Sequence, residues 1–336
     1  MKLPSVVSLF SGAGGLDLGF HQAGFSIALA VDISEAAIKS HQRNFPSTTS
    51  IAEDLLKLGP DGLVDKLEAV LPPGEAVGII GGPPCQGFSR ANTGSRFDDP
   101  RNRLPMLYLD IVDRLQRKYE VQFALFENVL GIQDRKHQAA FAGILGRLDE
   151  LGLKSNVNVY RAEDFGVPQK RRRVIISAFR SAHASQSFKP TRTHEVPRTV
   201  RSAIDGLPEP AYFASKLSRS DIPHHPNHWT MTPKSSKFQS TNKLASTGRS
   251  FRLLEWDKPS PTVAYGHREI HVHPRGHRRL SVFEAMRLQG FPDDFELEGT
   301  LSAQFEQVCN AVPPPLAKSL AVATANALDA RDVDAF

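Results

Sequence analysis

Residues 6–15 read VVSLFSGAGG, an apolar run that passes directly into three glycines among small residues. The run Val6–Phe10 has the length and the β-branched content of a short buried strand, and a helical pattern begins at Leu16. Glycines directly after a first strand let the backbone turn sharply and approach a ligand closely. The stretch therefore predicts a strand–turn–helix unit that opens an α/β domain.

Outward from this stretch, short apolar runs alternate with helical patterns over the first 180 residues. The further strands predicted are Ile27–Val31, Val77–Ile80, Phe123–Phe126, Val157–Tyr160 and Val174–Phe179. The helices predicted between them include Glu35–Arg43, Leu107–Arg117 and Gln138–Leu151. Strands that alternate with helices indicate a parallel α/β sheet, whose ligands gather at the carboxyl ends of the strands.

The chain changes character between residues 181 and 277, where Pro, Ser, Thr, His and basic residues are frequent and helical periodicity disappears. Aromatic residues are still spread through this stretch, namely Trp229, Phe238, Phe251 and Trp256. They favour an irregular or β-containing second domain over a linker. Helical periodicity returns at Ser281–Leu288 and at Pro315–Leu328.

Charge is distributed unevenly along the chain, whose formal net charge is +5. Residues 180–280 hold 17 Lys and Arg against 7 Asp and Glu, a net charge of +10, so the remainder carries about −5. Nine of the twelve histidines also lie there. A basic region joined to a mildly acidic one suggests an anionic polymer as partner, although a solvated basic surface is an equal alternative.

Composition excludes several classes of protein. The 336 residues are 40% hydrophobic and 23% charged, as in ordinary globular chains, and no stretch approaches the roughly eighteen apolar residues that span a bilayer. The N-terminal residues lack the apolar core and cleavage site of a signal peptide, so a cytoplasmic location is expected. The two cysteines, Cys85 and Cys309, are too few for a Cys-rich zinc site, and a cytosolic protein keeps them reduced.

Acidic residues further along the chain bear on the ligand of the glycine-rich turn. Alone, that turn could bind a dinucleotide, bind S-adenosylmethionine or be only a tight turn. Asp32 could accept both ribose hydroxyls, and Asp54 could accept from an adenine amino group. Asp17 stands where a dinucleotide-binding GxGxxG pattern needs its third glycine. These points favour S-adenosylmethionine; the alternative for Asp32 is a helix N-cap before Ser34 and Glu35.

A second unusual turn follows the predicted strand Val77–Ile80, where residues 81–89 read GGPPCQGFS. Two Gly and two Pro make a rigid exposed turn that holds Cys85 at a strand end, where α/β enzymes place reactive groups. A structural cysteine would more often lie within an apolar run. Cys85 is therefore a candidate nucleophile.

Two further polar features accompany predicted strands. Glu127 ends a buried apolar strand, where the alternative role is a helix cap or a salt bridge. Residues 169–173 read QKRRR before the strand Val174–Phe179. Strand alternation places Arg171 and Arg173 on one face, and the alternative is a solvated basic run.

Taken in order, these motifs resemble those of the DNA (cytosine-5) methyltransferases of bacterial restriction–modification systems. The matching stretches are FSGAGG at 10–15, Asp32, Asp54, GPPCQ at 82–86, ENV at 127–129, QxRxR at 169–173, RL at 279–280, RLQGFP at 287–292 and NAV at 310–312. Only about residues 181–275 fall outside strong matching.

The resemblance implies an S-adenosylmethionine-dependent, Rossmann-like fold: a mixed sheet with helices on both faces, beside a smaller irregular or β domain. Residues 1–180 would form the catalytic, cofactor-binding domain, which residues 300–336 complete by returning to it. Residues 181–299 would form the target-recognition domain and hinge.

The resemblance also implies a covalent mechanism. Cys85 would add to C6 of cytosine, so that C5 becomes nucleophilic enough to take the methyl group. Glu127 would donate to N3 and hold the exocyclic amine, and Arg173, with Arg171 nearby, would bind O2 and the developing charge. Because C6 cannot be reached inside a duplex, the base would be flipped out, and the segment 88–103 is expected to be a mobile lid.

S-adenosylmethionine, which leaves as S-adenosylhomocysteine, is then the implied cofactor, and no metal is expected. The implied cofactor contacts are Phe10, Gly12, Gly14, Gly15, Leu16, Asp32, Ile33, Asp54, Leu55, Pro84, Leu104, Asn310 and Ala311. Double-stranded DNA is the implied partner, and no membrane is involved. Candidate phosphate contacts are Lys234, Lys237, Lys243, Arg249 and Arg252. We expect a monomeric prokaryotic protein, held at the nucleoid by DNA, that acts alone or beside a cognate restriction endonuclease.

The sequence departs from the family pattern at its last motif. Cys309 stands where Gly is usual, which could alter the approach of the backbone to the methionine end of the cofactor. We expect Cys309 to be a small core filler. Outside the motifs, histidines gather at residues 224–228 and 271–277. A zinc site is conceivable there, but DNA-facing or surface histidines are the main expectation.

Three alternatives stay open at this point. A tRNA-methylating relative usually carries Cys-Phe-Thr in its recognition region and Pro-Phe-Thr after Pro-Pro-Cys-Gln, whereas residues 181–280 hold no Cys and residues 87–89 read GFS. A non-catalytic DNA-binding module would not need Cys85, Glu127 and Arg173 together. A dinucleotide oxidoreductase does not suit the Pro-Cys turn or the QxRxR run.

Overall fold

The computed structural model describes residues 2–84, 103–214, 217–239, 251–262 and 270–330. Among these residues, none of the helices has both the length and the apolar character that a bilayer crossing requires.

The strands of the described residues are β1 (Ser5–Leu9), β2 (Ile27–Asp32), β3 (Thr49–Ala52), β4 (Ala76–Gly81), β5 (Glu120–Asn128), β6 (Lys154–Arg161), β7 (Gln169–Lys170), β8 (Arg172–Phe179), β9 (Ala211–Tyr212), β10 (Trp229–Thr230), β11 (Arg252–Leu253), β12 (Ser260–Pro261) and β13 (His271–Val272). The helices are α1 (Gly15–Gln22), α2 (Glu35–Asn44), α3 (Leu55–Glu68), α4 (Leu104–Gln116), α5 (Gln138–Glu150), α6 (Ala182–Ser187), α7 (Val200–Ile204), α8 (Val282–Gln289), α9 (Leu301–Asn310) and α10 (Pro314–Asp329).

A seven-stranded mixed sheet in the order β3-β2-β1-β4-β5-β8-β6 forms the centre of the molecule. Its first five strands are parallel, while β8 runs antiparallel to both β5 and β6. The mixed sheet with helices on both faces, which the family resemblance implied, is confirmed. The wholly parallel sheet indicated by strand–helix alternation is wrong at β8. Between β6 and β8 the described chain has only one 3-10 turn and β7, so it lacks the crossover helix that a parallel connection needs.

Alternation of side chains along the strands divides the core between the two faces of the sheet. Val7 and Leu9 of β1 pack on one face with residues of α3, α4 and α5. Val6, which directly precedes Val7 and so points to the opposite side of the strand, packs on the other face with α1 and α10. The predicted first strand, Val6–Phe10, is confirmed to within one residue at each end. Its uninterrupted apolar run supplies both cores.

Helix α10 packs along α1, although about 290 residues separate them in sequence. Gly19 makes this close approach possible, since a Cβ built there would lie 2.3 Å from the backbone of Ala317. The C-terminal helix thus lies against the helix that follows the glycine-rich turn. Sequence patterns predicted α10 nearly to its ends but missed α9, α3 and β3.

Helix α8 begins with a capping box between Ser281 and Glu284, and Gly290 ends it in a left-handed conformation. Its apolar side chains serve two cores. Val282 and Met286 pack with α9, whereas Leu288 packs with α7 and Leu254. The helix therefore connects the irregular region to the C-terminal helices.

The expectation of surface or DNA-facing histidines is wrong for four of them. His225, His228, His271 and His273 are all buried, with 6% or less of their surface exposed. His225 stacks on Phe283 with ring centroids 4.1 Å apart. Among the described residues, no group of His, Cys, Asp and Glu could hold a metal ion. These histidines fill the core of the irregular region.

Candidate active site

An ion pair joins two of the predicted site residues at the carboxyl end of β5. Nε of Arg173, near the start of β8, lies 2.6 Å from Oε1 of Glu127, and both side chains are less than 15% exposed. The antiparallel pairing of β5 with β8 brings them together, because Glu127 is in register with Ile175. A second donor of Arg173, Nη1, bonds the carbonyl of Arg172. Two convergent donor and acceptor groups thus stand at the edge where parallel strands present ligands.

The turn that leads to Cys85 passes directly against this pair. Strand β4 ends at Gly81, which pairs with Phe126 of β5. A Cβ built on Gly82 would lie 3.0 Å from Oε2 of Glu127, so the turn starts in contact with the carboxylate. Cys85 itself and residues 88–102 of the expected lid lie outside the described residues.

Arg171 points away from the Glu127–Arg173 pair. Its guanidinium is buried, with the residue 2% exposed, and Nη2 donates to the carbonyls of Cys309 at 2.9 Å and Ala311 at 3.1 Å. Strand β8 begins only at Arg172, so regular alternation does not extend back to Arg171. The expectation that the two arginines share a face is therefore wrong: one reaches β5 and the other reaches the turn after α9.

The glycine-rich turn has the backbone geometry that close approach to a ligand requires. Phe10 and Gly12 both have φ +55°, and Gly14 has φ +94°. A Cβ built on Gly12 would have no neighbour within 4 Å, so open space lies beside it. Leu16, by contrast, is buried beneath the turn in the core. The backbone of the turn therefore faces open space at Gly12, whereas the side chain of Leu16 packs into the core.

Asp32 ends β2 beside this turn and organises it. Oδ2 accepts from the backbone N–H of Gly12 and Oδ1 from that of Ser34, both at 2.9 Å. Burial raises the pKa of Asp32 above its ordinary value, although the two backbone hydrogen bonds oppose the shift. Ser34, not Asp32, caps α2. The N-cap alternative for Asp32 is therefore wrong, and each oxygen retains a lone pair for a further donor.

The other expected cofactor residues surround the same edge. Ile33 exposes 70% of its surface directly after Asp32, an apolar platform at a strand end. Asp54 caps α3 by accepting from the N–H of Leu56, while Leu55 and Leu104 are buried at the starts of α3 and α4. Pro84, also on this edge after β4, is exposed.

Residues 310–312 close the site from the C-terminal side. A Cβ built on Gly15 would lie 2.6 Å from the carbonyl oxygen of Val312 and 2.9 Å from Cβ of Ala311. Asn310 is exposed at the end of α9. Cys309 lies within the last turn of α9, where it is half-buried and packs against the edge of an apolar cluster, in part as expected of a core filler. A helical position does not require glycine, so this departure from the family pattern leaves the turn intact.

A basic pocket of about 330 Å³ opens beside Arg173. Its lining residues are Leu130, Glu163, Lys170, Arg172, Arg173 and Thr262. The pairing of β7 with β12 builds it, and the Thr262 hydroxyl donates to the carbonyl of Lys170. No local sequence pattern predicts this pocket, because it depends on the contact between residues 169–170 and 260–262.

Comparison with known proteins identifies the family. The model of the C-5 cytosine-specific DNA methylases matches residues 5–326. This chain is a member of that family. Type II methyltransferase M.MthTI of Methanothermobacter thermautotrophicus is 34% identical over 339 residues, which cover 94% of this chain and 95% of that protein. Type II methyltransferase M1.HphI of Haemophilus parahaemolyticus is 35% identical over 332 residues, covering 94% of this chain and 85% of that one.

Solved structures of similar fold agree with the assignment of this chain to the C-5 cytosine DNA methyltransferases. One described as a DNA modification methyltransferase encoded within a prophage of E. coli has a TM-score of 0.79 and 26% identity, and covers 98% of this chain and 100% of its own. The S. pombe Dnmt2 methyltransferase has a TM-score of 0.65 at 16% identity, covering 97% and 99%, and shows the fold alone. The fold and the cytosine-5 methyltransferase activity expected from the sequence are thus confirmed.

Proposed function

We propose that this methyltransferase transfers a methyl group from S-adenosylmethionine to C5 of a flipped-out cytosine in a specific duplex sequence, through a covalent bond from Cys85. The Glu127–Arg173 pair carries this proposal, because the turn toward Cys85 begins against its carboxylate. A nucleophile, an acid and a cation are the three groups that activation of a cytosine ring at C5 requires.

In the proposed reaction the Cys85 thiolate forms a bond to C6. The electron pair of the C5–C6 double bond shifts between C4 and C5, and the C4–N3 pair moves to N3, which takes a proton from Glu127. C5 would then attack the methyl group, whose bond to sulfur breaks and leaves its electron pair on the sulfur of S-adenosylhomocysteine. Loss of the C5 proton to a base re-forms the C5–C6 double bond and expels the thiolate, while N3 returns its proton to Glu127. S-adenosylmethionine, when bound, supplies the electrophilic methyl group. Covalent addition divides one difficult step into two easier ones.

Glu127 and Arg173 prepare the ring for attack. Glu127 donates to N3 and accepts from the exocyclic amine, while Arg173 binds O2 and the charge that develops during addition. Their 2.6 Å contact in the free protein means that base binding must replace or share an existing ion pair. Because both side chains are largely buried, a polar ring that completes their hydrogen bonds is favoured over one that does not.

The residues at the glycine-rich edge fit S-adenosylmethionine. Asp32 has acceptor capacity for ribose hydroxyls, and the exposed Ile33 offers an apolar surface for the adenine ring. The open space beside Gly12 admits the methionine portion against the backbone. Asp54, Leu55, Pro84, Leu104 and Asn310 are proposed further contacts, with Phe10, Gly14, Gly15, Leu16 and Ala311 shaping the turn.

The basic pocket beside Arg173 supports an interface with the DNA backbone. Lys170 and Arg172 are exposed on its rim, and residues 180–280 carry a net charge of +10. Phosphate contacts position the duplex, and flipping the base costs a few kcal/mol that such contacts offset. Lys234 is exposed and is proposed as a further contact, as is the partly buried Arg252. Lys243, Arg249 and the side chain of Lys237 lie outside the described residues.

The biological role follows from the relatives, which are named type II methyltransferases. We propose that the chain is a monomeric modification enzyme that protects prokaryotic DNA, either from a cognate restriction endonuclease or alone. The domain division, with residues 1–180 and 300–336 catalytic and residues 181–299 reading the target, is part of this proposal.

Bisulfite sequencing of DNA from cells that express the chain tests the proposal. Wild type should leave methylated cytosines in one fixed sequence context, and Cys85→Ala should leave none. A matched control, Cys309→Ala, should methylate the same context, because the side chain of Cys309 packs against an apolar cluster and the substitution keeps the backbone carbonyl that accepts from Arg171. Methylation that survives in Cys85→Ala would refute the covalent mechanism.

A further inference from the structure

A chain of buried hydrogen bonds connects the two halves of the proposed site. Nε2 of Gln169 donates to Oε1 of Gln289 at 2.8 Å, and Nε2 of Gln289 donates to the carbonyl of Ala311 at 2.7 Å. Arg171 donates to that same carbonyl and to the carbonyl of Cys309. Gln169 and Gln289 are fully buried.

The last hydrogen bond of this series, to the carbonyl of Ala311, fixes the orientation of both glutamine amides. A backbone carbonyl can only accept, so Gln289 must turn its NH₂ group toward Ala311 and its oxygen toward Gln169. Gln169 must then donate. Any one-sided change leaves a buried donor or acceptor without its partner, which costs more than the bond itself contributes.

Each end of the chain touches a different part of the proposed site. At one end, Ala311 lies against Gly15 of the glycine-rich turn. At the other, Gln169 and Arg171 stand in the segment that continues into Arg173, and Gln169 pairs with Ser260 of β12 beside the basic pocket.

We propose that Gln169, Gln289 and Arg171 are positioning residues that couple the glycine-rich turn to the strand of Arg173, so that cofactor binding and duplex binding strengthen one another. This rests on the proposed function and assigns Arg171 to positioning, not to contact with the base. In this proposal, cofactor binding fixes the glycine-rich turn and, through its contact with Gly15, the position of Ala311. The hydrogen bonds from Gln169 through Gln289 to Ala311 then hold the segment 169–173, and with it Arg173, in position for the base. Binding free energies coupled in this way are reciprocal.

Coupling is tested by calorimetry with S-adenosylhomocysteine, with and without a duplex oligonucleotide that carries the sequence context found by bisulfite sequencing. In wild type the duplex should lower the Kd of S-adenosylhomocysteine several-fold. Gln289→Met is nearly equal in volume but cannot make these hydrogen bonds. It should raise the Kd of S-adenosylhomocysteine measured with the duplex about five- to tenfold, and bring the ratio of the Kd without duplex to the Kd with duplex close to one.

Gln307→Met is the matched control. Gln307 is also a buried glutamine, bonded to Ser40 and to the carbonyl of Glu298, but it lies outside the chain of bonds. It should lower Tm comparably and leave the Kd ratio within about twofold of wild type. Should Gln289→Met not fold, Gln169→Met breaks only the first bond and should give a smaller change in the same direction.

An unchanged ratio in Gln289→Met or Gln169→Met, an equal change in Gln307→Met, or no effect of the duplex on wild type would each overturn the coupling. The proposed function would still stand if wild type methylates DNA and binds S-adenosylhomocysteine. Wild type that does neither would instead refute the proposed function.

Discussion

At the scale of single residues, Glu127 and Arg173 show how a motif becomes a site. Each was singled out because a charged group ended or preceded an apolar strand. The structure places the two groups 2.6 Å apart and leaves Arg171 on a different partner. Local sequence identified the residues, but only the pairing of β5 with β8 determined which arginine meets the carboxylate.

Replacing Glu127 with Gln should lower kcat by about 10²- to 10⁴-fold, the usual contribution of general acid–base catalysis. The Kd of S-adenosylhomocysteine should change less than about twofold, because Glu127 lies at the base end of the site. Methylation rates and calorimetry would measure the two effects. Glu120→Gln, an exposed position at the opposite end of β5, is the control. Equal losses in turnover and cofactor affinity would contradict the assigned role.

Asp32 should give cofactor binding a distinctive pH dependence. Burial raises its pKa, so as pH falls it takes up a proton before an ordinary Asp does and loses an acceptor for ribose. The Kd of S-adenosylhomocysteine should therefore rise on acidification, beginning above the ordinary range of Asp. Calorimetry from pH 8 to pH 5 would show this. Asp32→Asn should bind weakly with no such dependence; a slope identical to that of wild type would argue against Asp32 as its source.

The sign for stability is opposite to that for binding. A carboxyl whose folded pKa is raised holds its proton more tightly than in the unfolded chain, so its contribution to stability falls as pH rises through the raised value. Asp32 therefore lowers the stability of the free protein at neutral pH, where it is in the ionised form that we propose accepts from the cofactor. Ionisable groups whose pKa is shifted at a cost in stability are typical of functional sites.

At the scale of elements, two histidine turns repeat one geometry. Nδ1 of His225 accepts from the N–H of Asn227, and Nδ1 of His273 accepts from the N–H of Arg275. Burial lowers the pKa of both histidines to about 4. Sequence could not reveal this, because a histidine in a polar segment reads the same whether its ring packs inward or outward.

The stability of the irregular region should consequently fall as the solution is acidified. A lowered folded pKa means that stability is complete above about pH 6.5, the unfolded value, and is lost progressively down to about 4. The loss is up to about 3 kcal/mol for each buried histidine. Urea unfolding of wild type at pH 7 and pH 5 would measure it.

Asparagine variants isolate the source of that pH dependence. His225→Asn and His273→Asn keep an acceptor for the turn but cannot take up a proton, so each should lose less stability between pH 7 and pH 5 than wild type. His21→Asn, at an exposed position on α1, should behave as wild type. If the two buried variants kept the full pH dependence, other groups would have to account for it.

At the scale of the whole molecule, the net positive charge of residues 180–280 and the basic pocket beside Arg173 should both contribute to DNA binding. Binding should weaken steeply with salt, because each neutralised phosphate contributes about −0.9 to the slope of log K against log salt. Lys170→Gln with Arg172→Gln should reduce the slope by about 2. Arg180→Gln, exposed just past the far end of β8, should leave it unchanged. Fluorescence anisotropy between 50 and 200 mM salt would test this, and an unaltered slope in the double variant would remove the pocket from the interface.

The sequence by itself determined the opening strand and turn, the alternation that builds two cores, and the family, because each depends on spacing within one stretch or on the order of stretches. The tertiary structure decided the antiparallel position of β8, the separation of Arg171 from Arg173, and the burial of the four histidines. It alone revealed the bonds from Gln169 through Gln289 to Ala311. These features depend on contacts between residues as many as 140 positions apart. The reason is physical: periodicity records which side of an element faces apolar surroundings, whereas hydrogen bonds and ion pairs depend on which distant element supplies the partner.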